Sequence, residues 1–121
     1  MTNGLISIGN YAFCGSDISE IIIPASVKTI GKGAFLSCMN LKKVIINGCC
    51  SLHAYSFHHC EQLKTVVLRN GLRSLGFEAF GDCKNLIEII DLSNRKFFCI
   101  DRFISKANPL FSKLKTPNKN D

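Results

Sequence analysis

The sequence predicts a repeat solenoid of the α/β type. It should consist of stacked coils of about 22–23 residues each, a period at which stacked units of strand and turn are common. The coils should be mostly β and turns, with one parallel sheet face and an irregular C-terminal cap. Three observations carry this. Phe13, Phe35, Phe57 and Phe80 follow one another at a nearly constant step. The residues around each Phe recur by slot. A β-branched segment follows each Phe at a constant distance: "ISEIII", "LKKVII", "LKTVVL" and "LIEIID". A fixed period in this range marks stacked supersecondary units, none of which can bury its apolar side alone.

Within a coil, the slot five positions before Phe is aliphatic: Ile8, Ile30, Leu52, Leu75. The next slot holds Gly9, Gly31, His53 and Gly76, where glycine serves a tight turn or a close backbone approach. Ala12, Ala34, Ser56 and Ala79 precede the Phe residues, and a small residue there lets the neighbouring coil approach. Each Phe should then stack on the next in the interior. Cys38, Cys60 and Cys83 stand three positions after Phe, with Ser16 in the first copy. Free cysteine behaves as a small hydrophobe, which suits a repeated core slot. Neighbouring thiols on stacked coils could instead reach disulfide distance, although three members cannot all pair with one another. Leu41, Leu63 and Leu86 open the strands, with Ile18 one position early in the first copy. Alternation places the first, fourth and sixth strand positions inward and the second, third and fifth outward.

The pattern I-G-x-x-A-F-x-x-C-x-x-L-x-x-V-x-I, written here as "IGKGAFLSCMNLKKVII", resembles the BspA-type leucine-rich repeat over about residues 5–92. The resemblance implies leucine-rich-repeat coils in a solenoid with a parallel sheet face. It implies a binding scaffold, in a family that includes surface proteins of bacteria and anaerobic protists with adhesive roles. It brings no catalytic motif and no cofactor. The third copy departs from the pattern at His53 and Ser56, and the fourth strand ends in Asp91.

The expected organisation is a four-coil solenoid over 1–92, a degenerate fifth coil or capping segment over 93–114, and a disordered basic tail over 115–121. In 93–114, Phe103 follows Phe80 by one further coil length, as a fifth coil requires. The same stretch also fits a helix through Phe97, Ile100, Phe103, Ile104 and Ala107, ended by Pro109. Residues 1–92 hold eight Lys/Arg and seven Asp/Glu, and residues 93–121 hold seven and two. The net charge of +6 therefore belongs mainly to the tail, which keeps a chain end solvated; nucleic-acid binding is not expected. No run of about 18 apolar residues is present to cross a membrane. Met1 to Gly4 is not the start of a signal peptide, so the chain as written is intracellular. The resemblance places it at a cell surface if it is a fragment.

The first candidate site is the outward sheet face, where Ile22, Ile45, Val67 and Ile90 should form an apolar stripe. Beside it run Glu20, Lys43, Thr65 and Glu88, then Ser19, Lys42, Lys64 and Ile87. An apolar stripe edged by charge is what a protein partner can read, and Lys42, Lys43 and Lys64 favour an acidic one. If the chain is displayed at a surface, that partner would be a host or matrix protein. The competing explanation is β-propensity alone.

The second candidate is "CCSLHAYSFHHC", with Cys49, Cys50, His53, His58, His59 and Cys60. The repeat frame argues against a zinc site. It assigns Cys49 to the inward slot held by Val27 and Leu72, and Cys60 to the cysteine ladder. No metal or cofactor is therefore expected. Catalysis is weaker still: Cys60 beside His58 or His59 has neither an orienting third group nor an oxyanion site. The chain is read as a non-enzymatic scaffold. The alternative is a structural stretch of a longer repeat array, with a zinc module behind both.

Overall fold

The computed structural model describes residues 4–92. The expectations for 93–114 and 115–121 fall outside the described residues. Eight strands alternate between two parallel four-stranded sheets. The larger sheet has the order β2-β4-β6-β8, from Glu20–Ile23 (β2), Lys43–Ile46 (β4), Thr65–Leu68 (β6) and Glu88–Asp91 (β8). A second sheet has the order β1-β3-β5-β7, from Ser7–Ile8 (β1), Thr29–Ile30 (β3), Cys50–Leu52 (β5) and Leu72–Leu75 (β7). The described residues hold no helix. The single sheet face expected from the repeat is thus joined by a second, narrower one on another side of the coil.

The interior follows the slots. Ile23, Leu41, Val44, Ile46, Leu63, Val66, Leu68 and Leu86 are buried from the strand side, and Ile8, Ile30 and Leu52 from the opposite side. Between them runs an aromatic column. Adjacent rings in the order Phe13, Phe35, Phe57, Phe80 lie 5.2, 4.9 and 5.3 Å apart and within 8° of parallel. Phe35, Phe57 and Phe80 are sealed from solvent, whereas Phe13 is 37% exposed on the first coil.

The third side of the stack is a column of turns. The positions two before and two after each Phe adopt left-handed backbone: Tyr11, Gly33, Tyr55 and Glu78, then Gly15, Ser37, His59 and Asp82. For a residue with a Cβ this costs roughly 1–2 kcal/mol. Hydrogen bonding offsets that cost. The N–H groups of Gly33, Phe35 and Ser37 donate to Ala54, Ser56 and His58 of the next coil at 3.0, 2.7 and 2.9 Å. Those of Tyr55, Phe57 and His59 do the same to Phe77, Ala79 and Gly81. The intervening N–H groups close turns within their own coil, as Ala34 does to Gly31 and Leu36 to Gly33. The turns are therefore as tightly stitched to their neighbours as the sheets.

Glycine in the repeat serves close approach. A Cβ at Gly31 would lie 2.7 Å from the Asn10 nitrogen, and one at Gly76 would overlap the backbone of His53 and Ala54. Ser56, in the alanine slot, is buried and its hydroxyl has no hydrogen-bond partner among the described residues. A buried unpaired hydroxyl costs about 1–3 kcal/mol. Ser56→Ala should therefore raise stability by about 1 kcal/mol or more in urea unfolding. A loss would mean that the hydroxyl is satisfied in solution.

One slot assignment is corrected. Cys50, not Cys49, points inward: it is fully buried, lies opposite Leu72, and alternates with Leu52 across the half-buried Ser51. The path from Lys43 to Ser51 is one residue shorter than that from Glu20 to Thr29, its register equivalent in the preceding coil. Counting back from Phe57 therefore slips by one. The register shift between Cys50 and Ser51 against β7 absorbs the difference.

Candidate functional site

The β2-β4-β6-β8 sheet aligns the outward residues as the spacing predicts. Ile22, Ile45, Val67 and Ile90 are in register, and so are Glu20, Lys43, Thr65 and Glu88. Ile22 is 55% exposed and Ile90 37%, whereas Ile45 and Val67 are half-buried between their neighbours in the row. The apolar surface is therefore continuous, with its ends more open than its middle. Ile87 and Leu92 widen it at the β8 edge, at 59% and 58% exposure. The repeat frame places Ile87 in the row beside Lys42 and Lys64; its part in the apolar surface comes from its standing next to the strand that carries Ile90. At the other edge, an open pocket of about 590 Å³ is lined by Phe13, Ile18, Glu20, Ile21 and Ile22.

The charged rows are unevenly satisfied. Thr65 Oγ1 donates to Glu88 Oε1 at 3.2 Å. Lys42 and Lys64 are exposed direct neighbours, joined by the Lys64 N–H donating to the Lys42 carbonyl at 3.0 Å. Neither they nor Lys43 form an ion pair among the described residues.

In the third-coil cluster the two adjacent histidines face carboxylates. Among the described residues no three His, Cys, Asp or Glu side chains converge where an ion could be held. His59 Nδ1 lies 2.6 Å from Asp82 Oδ2 of the next coil, and its Nε2 lies 3.7 Å from Glu61. His58 Nε2 lies 3.9 Å from Glu78 and its ring packs edge-on against Tyr55. His53 is exposed. His58 and His59 thus face coil-four carboxylates across the turn column. Cys60 turns the other way, its thiol donating to the Phe35 carbonyl at 3.2 Å rather than to either histidine.

The cysteine ladder is more than filler. Cys38, Cys60 and Cys83 each donate their S–H to the Phe carbonyl of the preceding coil, at 3.2 Å in all three. The neighbouring Cys60 thiol, then burial, push Cys38 far above the usual thiol range. The Cys38 thiol pulls Cys60 down, but the Cys83 thiol and burial outweigh it and leave Cys60 raised. Burial pushes Cys50 up to about 11, with Cys49 adding and Lys28 opposing. A reactive cysteine needs a lowered pKa and access. Cys38, Cys50 and Cys60 have neither, so they stay protonated at neutral pH and serve structure.

A search of curated protein sequences finds no match. Among solved structures, the chain is similar to a leucine rich cell surface protein from Faecalibacterium prausnitzii A2-165, at 19% identity and a TM-score of 0.41. That match covers 74% of this chain and 44% of the other, so this chain spans less than half of that protein's length. The family model described as the BspA type leucine rich repeat region, with six copies, matches residues 1–107. That family is a non-enzymatic repeat family. With its slots, register and stacked aromatic column in place, and with the match running over most of its length, the chain belongs to the BspA-type leucine-rich repeat family.

Proposed function

We propose that this chain is a non-enzymatic protein-binding or adhesion scaffold that acts through the outward face of the β2-β4-β6-β8 sheet. The observation that carries the reading is the row Ile22, Ile45, Val67, Ile90, held in register across four coils and edged by charge. Contiguous exposed apolar surface rimmed by polar residues is characteristic of interaction sites. Its strands are braced from behind by a buried core, so the face is rigid before a partner arrives, which lowers the ordering cost of binding. Glu20, Lys43, Thr65 and Glu88, with Lys42 and Lys64, supply the polar rim. The partner is another protein, and a host or matrix protein if the chain is displayed at a cell surface.

The test is a variant carrying Lys42→Glu, Lys43→Glu, Lys64→Glu and Ile45→Asp. Against a panel of matrix and host-surface proteins on a biosensor, the native chain should bind at least one, and the variant should lose it more than tenfold. Circular dichroism should show both folded. Unchanged binding by a folded variant would remove the sheet face from the account. A second reading, a structural stretch of a longer array, draws on the open apolar pocket over Phe13, Ile18 and Ile21, where a further coil of this repeat would seat.

A further inference from the structure

Like charges placed directly opposite one another on adjacent strands are destabilising. Lys42 and Lys64 face each other in the positions immediately before β4 and β6, both exposed, with Lys43 beside them and no carboxylate bonded to any of the three among the described residues. The carboxylates that could relieve them are at the sheet's outer strands. Glu88 accepts a hydrogen bond from Thr65, and Glu20 lies in register with Lys43 without pairing to it. The sheet face therefore has a basic centre and acidic margins. The basic centre adjoins the half-buried part of the apolar row, Ile45 and Val67.

Resting on the sheet-face reading, we propose that the site takes an extended acidic–aliphatic peptide segment of its partner. In such a segment a carboxylate meets Lys42, Lys43 and Lys64, and an aliphatic side chain two residues along meets Ile45 and Val67. The spacing follows from strand geometry. Side chains two apart on a strand share a face and sit about 6.6 Å apart, which is the offset between Lys43 and Ile45 on β4. An extended segment with an acidic residue at i and an aliphatic one at i+2 presents the same offset. The lysine stems lie along the apolar surface while their ammonium groups reach the carboxylate. The carboxylate supplies the charge that the fold withholds, so the repulsion between Lys42 and Lys64 is relieved on binding. The acidic margins at Glu20 and Glu88 repel a segment that is acidic throughout, which restricts the site to short acidic stretches.

The test uses three fluorescent decapeptides read by anisotropy: one alternating Glu-Ser-Val-Ser, one with Gln for each Glu, and one with Lys for each Glu. The acidic probe should bind at least tenfold tighter than the glutamine probe, and the lysine probe should not bind. The double variant Lys42→Gln, Lys64→Gln should lose at least tenfold for the acidic probe while its own melting temperature rises, because the facing charges are gone. A merely structural role for these lysines would not produce that opposite movement of stability and affinity. Equal binding of the acidic and glutamine probes overturns the acidic class and leaves the sheet-face reading standing. If no probe binds and the four-site variant still binds the panel proteins normally, both readings fall. Unaltered binding of the acidic probe by the double variant overturns the assignment to these lysines.

Discussion

Phe57→Ala lowers the unfolding free energy by about 3–5 kcal/mol, toward the upper end of that range. The ring is fully buried and stacked on both sides, 4.9 Å from Phe35 and 5.3 Å from Phe80. Truncation removes a large side chain and both stacking contacts, each worth about 0.5–1.5 kcal/mol beyond the buried area. The turn column holds the backbone on either side, so the cavity cannot collapse fully. In a stack, stability is a sum of coil terms and nearest-neighbour interfaces. Losing the third ring therefore also uncouples the first two coils from the fourth, and the urea transition should broaden as well as shift. Phe13→Ala is the internal control. Its ring is 37% exposed and stacks on one neighbour at 5.2 Å, so it should cost about 1 kcal/mol. Equal losses at the two positions would mean that the column is not the spine of the molecule.

Gly76→Ala is the second large effect, from a single added carbon. Its methyl group would overlap the backbone of His53 and Ala54 in the preceding coil. Backbone cannot yield as the end of a side chain can, so the two coils must part locally. Overpacking of this kind costs about 1–3 kcal/mol, and backbone contact places it at about 2 kcal/mol or more. The same substitution at Gly9, in the equivalent slot of the first coil, meets nothing within 4 Å. An exposed substitution that disturbs no packing changes stability little, so Gly9→Ala should move the unfolding free energy by less than about 0.5 kcal/mol. Comparison of the two variants in urea separates coil packing from any conformational need for glycine in that slot. A large loss at Gly9 would attribute the slot to backbone conformation instead.

The sequence showed most of the solenoid because its core slots recur. One Phe per coil and a β-branched run after each were enough to place the larger sheet and its inward and outward rows. The second sheet was not legible: β1 and β3 are two residues long, too short for alternation to show. The left-handed turn positions were hidden for another reason. Most are filled by Tyr, Ser, His, Glu and Asp rather than glycine, and in the first three coils their N–H groups donate to the next coil, so hydrogen bonding rather than residue preference holds that conformation there. The cysteine slot read as a small buried hydrophobe, whereas its S–H donates to a backbone carbonyl in three coils. In the candidate site, the register of Ile22, Ile45, Val67 and Ile90 followed from spacing. The half-burial of Ile45 and Val67 did not, since it depends on the side chains beside them. The histidines looked like ligands by density alone, and the structure turns His58 and His59 toward Glu78 and Asp82.

The central claim is that the turns around Phe13, Phe35 and Phe57, like the strands, are hydrogen-bonded in register to the next coil. Native-state amide hydrogen exchange tests this most directly, because protection reports local opening residue by residue. The amides of Phe35, Ser37, Phe57 and His59 lie in turns and donate to the next coil at 2.7–2.9 Å. They should be protected as strongly as the amides of β4 and β6. Exchange at the rate of an open loop, with protection confined to the strands, would contradict the claim.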